Sequence, residues 1–421
     1  MTVFKGYDIR GIYPKEIDEN FAYKLGLNCT KIFKKKKVLV GQDARKSSFS
    51  LKKFLIKGLL TQGFKVFDCG IVPIVSLYHW ASKFRLPAIM VTASHNPLNY
   101  NGFKLIDENG FPIRLKKLEK VKQISSKKGS YEKVNVLKEH LNFLKKFEIE
   151  KEFSIGVDFL NSPSFLLFLK LLKWLKINAV VFNVELGKFF QQPLPSPQNL
   201  KDLKKEIKEK NLDFGIAFDG DADRIVFFDD KGNYLWGDWV LTILIKYLLP
   251  ISKNKKVVCE VTCTNKLKEI VKEMNGKVYE TKVGRYYLVR EMKKRDALLG
   301  GESSSHFYFK ESRGLEDSFL AFLKILQILE RENKKLSEIV KEINFHPKTI
   351  FSVKKINLEK IQEKFESKRL KDGIKFLGKN FEFIVRKSQT EEVFRIYLEA
   401  ENKKVLRKAK EKLTKSFKKE E

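Results

Sequence analysis

The run Asp219-Gly220-Asp221-Ala222-Asp223-Arg224 carries three carboxylates at alternate positions directly after the apolar stretch Phe214 to Phe218. At the end of a strand, three such side chains can turn their oxygens toward one point, where they repel one another unless a hard divalent cation relieves them. Mg²⁺ fits, because it binds through a few carboxylates and fills its shell with waters and phosphate oxygens. An EF-hand does not fit: the sixth position from Asp219 is Arg224, where glycine is needed, and the twelfth is Asp230 rather than Glu. In Thr92-Ala93-Ser94-His95-Asn96-Pro97, Ser94 follows another apolar stretch, and its hydroxyl could act as a nucleophile or carry a phosphoryl group. It has no Gly-x-Ser-x-Gly elbow, and no Asp/His pair singles out a protease triad. His95 alone reads as a hydrogen-bonded structural histidine. Lys104 follows ten residues after Ser94, in Asn101-Gly102-Phe103-Lys104. The loop Gly300-Gly301-Glu302-Ser303-Ser304-Ser305-His306 offers a carboxylate, hydroxyls and an imidazole with little bulk, which suits the vicinal hydroxyls of a sugar. Arg386-Lys387-Ser388-Gln389-Thr390-Glu391, with Arg395 beyond it, combines guanidinium, hydroxyl and amide donors into a cradle for an oxyanion.

These loops need a frame, and a repeat supplies one. Three β-branched strands, each closed by an acid, recur about a hundred residues apart: Val38 to Asp43, Ile155 to Asp158 and Val257 to Glu260. Each leads through a helical pattern to a second strand, Phe64 to Phe67, Asn178 to Phe182 and Lys277 to Glu280, the mark of a βαβ unit. A third strand in each copy, Ala88 to Val91, Phe214 to Phe218 and Ala297 to Leu299, then ends in one of the polar loops. Since ligands bind beyond the carboxyl ends of strands in open α/β sheets, the three loops are expected to converge. The fold class is therefore α/β: three similar α/β domains with mixed sheets, and a smaller α+β C-terminal domain, around a central cleft. Their expected extents are 1–149, 150–250, 251–346 and 347–421.

A length of 421 residues agrees with several cores at roughly 100–200 residues per domain. The chain has 84 Lys and Arg against 52 Asp and Glu, a formal charge of +32. The lysines are spread along the whole chain with no helix-turn-helix, ribonucleoprotein or zinc-finger pattern, so they read as solvated faces without a specific nucleic-acid partner. No apolar stretch reaches the ~20 uncharged residues that span a bilayer. The N-terminus lacks the apolar core of a signal peptide. The four cysteines form neither CxxC spacing nor a Cys/His set, so a cytoplasmic protein with neither zinc site nor disulfide framework is expected.

Taken in order, Tyr7-Asp8-Ile9-Arg10-Gly11, the Ser94 motif, the Asp219 motif, Gly301-Glu302-Ser303-Ser304-Ser305-His306 and Arg386-x-Ser388-x-Thr390-Glu391 resemble the α-D-phosphohexomutases, nearest the bacterial and archaeal phosphomannomutase/phosphoglucomutase branch. The resemblance implies that Ser94 is phosphorylated in the resting enzyme and shares Mg²⁺ with Asp219, Asp221 and Asp223. It implies that Lys104 is a general base or acid beside the transferring group and that Arg10 is a cation near the phosphoserine. Glu302 and Ser304 would grip sugar hydroxyls with His306 beside them, and Arg224 and Lys282 would be further contacts in the cleft. Arg386, Ser388, Gln389, Thr390 and Arg395 would anchor the non-reacting phosphate.

The implied activity is reversible phosphoryl transfer between the 1- and 6-positions of mannose or glucose phosphates, through a hexose 1,6-bisphosphate that is intermediate and activator. Gly102-Phe103-Lys104 leans toward mannose and glucose phosphates over glucosamine phosphate. A phosphoglucosamine mutase, a non-catalytic sugar-phosphate-binding relative and a basic nucleic-acid-binding protein are the alternatives, and the chain is expected to be a monomer or dimer. Four places depart from the family's usual residues: Gln389 for Gly or Asn, Glu392 for Pro, Ser305 for Gly or Ala, and Asn161-Ser162-Pro163-Ser164 for Asn-Gly-Ala-Gly. They bear on affinity and preference more than on reaction type.

Overall fold

The repeat seen in the sequence is one strand order used three times in the computed structural model, which describes residues 3–121, 128–388 and 392–418. The first unit runs β1 (Phe4–Lys5), β2 (Asp8–Ile12), α1 (Glu19–Ile32), β3 (Lys37–Gln42), α2 (Lys46–Thr61), β4 (Lys65–Ile71), α3 (Ile74–Phe84), β5 (Ala88–Val91), β6 (Tyr100–Ile106) and β7 (Ser130–Lys133). Helix α4 (Val136–Leu144) leads into β8 (Ser154–Asp158), α5 (Phe165–Leu175), β9 (Asn178–Phe182), α6 (Lys201–Glu209), β10 (Phe214–Phe218), β11 (Ile225–Phe228) and β12 (Tyr234–Leu235). Next come α7 (Gly237–Leu248), β13 (Lys256–Glu260), α8 (Asn265–Glu273), β14 (Lys277–Thr281), α9 (Arg285–Arg295), β15 (Leu299–Gly301), β16 (Phe307–Phe309), β17 (Leu315–Glu316), α10 (Ser318–Glu332) and α11 (Leu336–Ile343). The last unit is β18 (Lys348–Val353), α12 (Leu358–Gln362), β19 (Glu366–Arg369), β20 (Ile374–Gly378), β21 (Phe381–Lys387), β22 (Phe394–Ala400) and α13 (Lys403–Lys418).

The first three sheets are ordered β1-β2-β6-β5-β3-β4-β7, β12-β11-β10-β8-β9 and β14-β13-β15-β16-β17. In each, the strand that opens the copy (β3, β8, β13) lies parallel between the second strand (β4, β9, β14) and the third (β5, β10, β15). A fourth, antiparallel strand (β6, β11, β16) closes onto the third. All three polar loops are thus the same turn, from third strand to fourth. Strands covered on both faces need apolar side chains throughout, which is why Ala88 to Val91 and Phe214 to Phe218 are buried at every position.

One hydrophobic core runs through the first three units, so their loops are fixed relative to one another. Helix α10 lies within it, packed on β11, α4 and α7. Phe168 of α5 meets Phe319 and Phe322 of α10 with ring centroids 5.5 and 4.8 Å apart. A polar chain crosses the same region: Ser76 Oγ lies 2.9 Å from His140 Nδ1, and His140 Nε2 lies 3.0 Å from Asp317 Oδ2. Asp317 also caps α10, accepting from the amides of Phe319 and Leu320. No helix among the described residues is long and apolar enough to cross a membrane.

Two expectations are corrected. The junction at residue 250 falls inside the third unit, because α7 packs on α8 and β15 of the third sheet; Leu249 to Asn254 is a loop from that helix into β13. The third strand of the third copy is Leu299–Gly301 rather than Ala297 to Leu299. Its glycines are strand residues because space is lacking: a Cβ on Gly300 would stand 2.7 Å from the Val258 carbonyl oxygen and 2.8 Å from Met292 Sδ.

The fourth unit has its own core and an all-antiparallel sheet, β18-β22-β21-β20-β19, backed by α13. It is pegged to the third by a buried ion pair, Lys348 Nζ to Asp238 Oδ2 at 2.7 Å, and by Asn265 Nδ2 donating to Glu382 Oε1 at 2.8 Å. Removing one partner of a buried pair strands the other charge, at a cost of about 3–5 kcal/mol. Lys348→Met is therefore expected to loosen the C-terminal unit, giving an earlier calorimetric transition and faster amide exchange in β18 and β22, with much of the loss recovered when Asp238→Asn is added.

Candidate active site

The serine loop and the acidic loop face each other at the ends of β5 and β10. Ser94 is 3% exposed and has φ of +47°, and its Oγ donates to Asp219 Oδ2 at 2.7 Å. The loops can approach this closely because residue 220 is glycine: a Cβ there would stand 2.4 Å from the Ser94 carbonyl oxygen. Thr92 Oγ1 accepts from the Ser94 amide at 2.8 Å and donates to Asp221 Oδ2 at 3.1 Å. From β6, Lys104 Nζ donates to Asp221 Oδ2 at 2.9 Å and to Asp223 Oδ2 at 2.6 Å. From β2, Arg10 Nη1 donates to the Thr92 carbonyl at 2.5 Å.

The three aspartates are buried, and one oxygen from each lies within 4.8 Å of the others. Burial and the charges of Asp223 and Asp221 push the Asp219 carboxyl up to about 8. Burial also opposes charge on Asp223, but Lys104 and His306 hold it well below the usual carboxylate range. The ammonium of Lys104 is kept charged against its own burial by Asp221 and Asp223. Asp221 Oδ1 is buried with no hydrogen-bond partner among the described residues. An orphaned carboxylate oxygen inside an all-oxygen cluster suits a hard divalent cation, so the residues present fit such an ion.

The third loop joins this cluster through His306. Its Nε2 lies 3.1 Å from Asp223 Oδ1 and its Nδ1 lies 3.1 Å from Glu302 Oε2. Despite burial, Glu302 and Asp223 raise His306 to about 10, while His306 outweighs burial in turn and lowers Glu302 to about 2. Ser304 Oγ donates to Glu302 Oε2 at 2.9 Å. Arg224 completes the ring, its Nε 4.0 Å from Asp219 Oδ2 and 3.4 Å from His306 Nε2. Ser305 has φ of +70° and links the loops by accepting from the Ile225 amide through its carbonyl at 3.3 Å. A hydroxymethyl group there costs strain that glycine avoids.

The structure therefore brings Ser94, Lys104, Arg10, Asp219, Asp221, Asp223, Arg224, Glu302, Ser304 and His306 together. The remaining candidates lie on the fourth unit and on the turn that faces it. Arg386 of β21 stands directly across the ladder from Arg395 of β22, a like-charged pair that an anion between them would relieve. Arg386 is buried and donates through Nε to Asp372 Oδ2 at 3.2 Å, and the same oxygen accepts the Val283 amide at 3.3 Å. Lys282 is exposed and adjoins that contact, its Nζ 5.9 Å from the Tyr287 ring centroid. The Ser388 amide closes the base of the hairpin on the Val393 carbonyl at 2.8 Å. Gln389 and Thr390 lie outside the described residues, and Glu392 is exposed.

Some participants were not assigned a site role from the sequence, where His95 reads only as a hydrogen-bonded structural histidine. His95 Nδ1 lies 3.1 Å from Ser94 Oγ, and burial, with Arg224 and Arg10 nearby, holds this imidazole well below its usual range and so uncharged. Tyr308 donates to Glu302 Oε1 at 2.9 Å. Glu260 Oε1 accepts from the Ser303 amide at 3.0 Å and from Thr262 Oγ1 at 2.6 Å, pinning the third loop from below. The available signal was the acid that closes the first strand of each copy: Glu260 holds the Ser303 amide and Asp43 holds the Ala93 amide, each in the loop after the third strand.

Comparison with known proteins agrees with this geometry. Models of the phosphoglucomutase/phosphomannomutase α/β/α domains I, II and III match residues 1–132, 134–232 and 236–345. A phosphomannomutase of Methanocaldococcus jannaschii is 36% identical over 98% of this chain and 97% of its own. A phosphoglucomutase/phosphomannomutase of Thermococcus kodakarensis is 30% identical over 96% of each. In structure, a phosphoglucomutase/phosphomannomutase family protein of Burkholderia thailandensis superimposes with a TM-score of 0.88 at 26% identity, covering 99% of this chain and 98% of that one. With all three domain types matched in order and near-complete relatives on both counts, the chain belongs to the phosphoglucomutase/phosphomannomutase family of α-D-phosphohexomutases, and is an isomerase of that kind.

Proposed function

We propose that this isomerase moves a phosphoryl group between the 1- and 6-positions of mannose and glucose phosphates, with Ser94 as the carrier and Mg²⁺ held by Ser94, Asp219, Asp221 and Asp223. The observation that carries the reading is the meeting of Ser94 Oγ with three buried carboxylates, one of them with an orphaned oxygen, beside Lys104. Bound there, Mg²⁺ would polarise phosphoryl oxygens and offset their charge. Phosphorylated Ser94 gives its phosphoryl group to the free hydroxyl of a hexose 1- or 6-phosphate: a P–O bond forms at the sugar as the bond to Ser94 Oγ breaks, and the hydroxyl proton replaces the phosphoryl group on the serine side. The resulting hexose 1,6-bisphosphate, which also serves as activator, turns over and returns its other phosphate to Ser94.

Positioning and charge neutralisation supply most of the acceleration in such transfers. Lys104, kept protonated, can donate to the transferring group, and Arg10 adds positive charge beside the serine loop. Glu302 and Ser304 accept and donate to sugar hydroxyls, with His306 holding Glu302 ionised. Arg224 and Lys282 are further cationic contacts for a dianionic substrate. Arg386 and Arg395, with Ser388, Gln389 and Thr390, anchor the phosphate that is not reacting. We take the enzyme to be cytoplasmic, a monomer or dimer, with hexose phosphates rather than nucleic acid as its partners.

A second substrate class has specific support, since a relative named phosphoglucosamine mutase, from Methanocaldococcus jannaschii, is 32% identical over 97% of this chain. Mannose 1-phosphate, glucose 1-phosphate and glucosamine 1-phosphate assayed side by side with bisphosphate present distinguish the two.

The deciding experiment is Ser94→Ala: turnover is expected to be nearly abolished with the fold intact, and the phosphate adduct seen by intact mass on the wild type should be absent. Full activity in an unmodified Ser94→Ala protein would sink the reading. Chelation should remove activity and Mg²⁺ restore it, with Asp221→Asn raising the Mg²⁺ concentration required; activity indifferent to chelation would count against the metal. Glu302→Ala should leave Ser94 phosphorylated yet lower kcat/KM by about 2–4 kcal/mol of transition-state stabilisation, because buried partners of a sugar hydroxyl are left unpaired. Unchanged kcat/KM on every hexose phosphate would make the glycine- and serine-rich loop a structural turn.

A further inference from the structure

We propose that Arg45 is the positioning residue that aims the Ser94 hydroxyl. The inference rests on Ser94 carrying the phosphoryl group and adds a residue outside all four chemical loops. Arg45 precedes α2 and is 4% exposed, with its guanidinium beneath the serine loop. Nη2 donates to the carbonyls of Ser94 at 2.8 Å and Asn96 at 2.7 Å. Nη1 donates to those of Pro97 at 2.8 Å and Tyr100 at 3.1 Å. Four carbonyls are thereby turned inward onto one planar group, a geometry that matches the fixed fork of a guanidinium and that a single ammonium cannot span.

Asp43 fixes the fork in turn. Its Oδ1 accepts from the Arg45 amide at 3.0 Å and from Ser48 Oγ at 2.6 Å, and its Oδ2 lies 3.4 Å from Arg45 Nε. The same Oδ2 accepts from the Ala93 amide at 3.3 Å, so one carboxylate sets both the guanidinium and the residue before the nucleophile.

The consequence for Ser94 follows from its backbone. At φ of +47° a serine is in the left-handed region, which it enters only when its surroundings over-determine it. In that conformation Oγ donates to Asp219 while the carbonyl accepts from Arg45. Gly220 leaves room for the same carbonyl but has no side chain with which to hold it. Without the guanidinium the buried carbonyl loses its donor, the left-handed turn loses its support, and Oγ swings off the line to the metal-binding aspartates. Arg45 acts through the serine loop rather than on substrate, because both its Nη atoms are engaged by that loop's carbonyls.

The test compares Arg45→Lys and Arg45→Ala with wild type as full-length protein, after thermal melts establish which variants fold. Each is assayed for steady-state kcat and KM on the preferred hexose phosphate and, in single turnover, for phosphorylation of Ser94 by hexose 1,6-bisphosphate, read by intact mass. Misplacing a reacting atom by about an ångström costs on the order of 10²-fold, so both the phosphorylation rate and kcat should fall by about that factor in Arg45→Lys, with KM essentially unchanged. Guanidinium ion, far below denaturing concentrations, should restore part of the rate to Arg45→Ala and none to Ser94→Ala. A folded Arg45→Lys that is phosphorylated at the wild-type rate overturns the proposal, as does a loss confined to KM. If Arg45→Ala does not fold, Arg45→Lys alone decides on the same readouts. A wild type that takes up no phosphate on Ser94 instead overturns the functional reading, and the role of Arg45 falls with it.

Discussion

Three carboxylates buried within 4.8 Å of one another repel strongly, and the arrangement of the other loops answers that repulsion. Lys104 reaches in from the first unit, Arg224 stands beside the cluster on the second, and His306 comes from the third. Lys104 and His306 are themselves buried and depend on the acids as much as the acids depend on them. The compensation therefore runs across unit boundaries. The shared hydrophobic core keeps the compensating groups in register.

The same constraint leaves one place in the cluster open to a further cation. Lys104 and His306 satisfy Asp223 from two sides, and Asp219 accepts from Ser94 Oγ, but one oxygen of Asp221 is left over. A frame that balanced every oxygen with protein donors would have no affinity for a further cation. The incomplete balance, set on rigid strand ends, is what the site would offer a metal ion.

Much of this was legible in the sequence because the serine and acidic loops follow short, fully buried strands, and a buried strand reads as an unbroken apolar run. The copies declared themselves through the acid that closes each first strand. Pattern fails where long-range packing decides. Nothing local in Gly237 to Leu248 says which sheet that helix covers, and Gly300-Gly301 reads as loop until Val258 and Met292 are seen crowding it. Arg45 was one of 84 basic residues, and its value lies in four carbonyls spread from Ser94 to Tyr100. Lys282 was legible as a cation, but its neighbourhood depends on how Asp372 of the fourth unit docks on Val283.

The chain Ser76–His140–Asp317 has the composition of a hydrolase triad, although nothing around Ser94 suggested one. All three side chains are sealed between α3, α4 and the start of α10, and Asp317 is already engaged as a helix cap. With all three side chains buried away from any substrate, the hydrogen-bonded relay functions as mortar between helices. A phosphonylating reagent that hunts for activated serines would therefore pass over Ser76, since access to the hydroxyl separates a nucleophile from a joint.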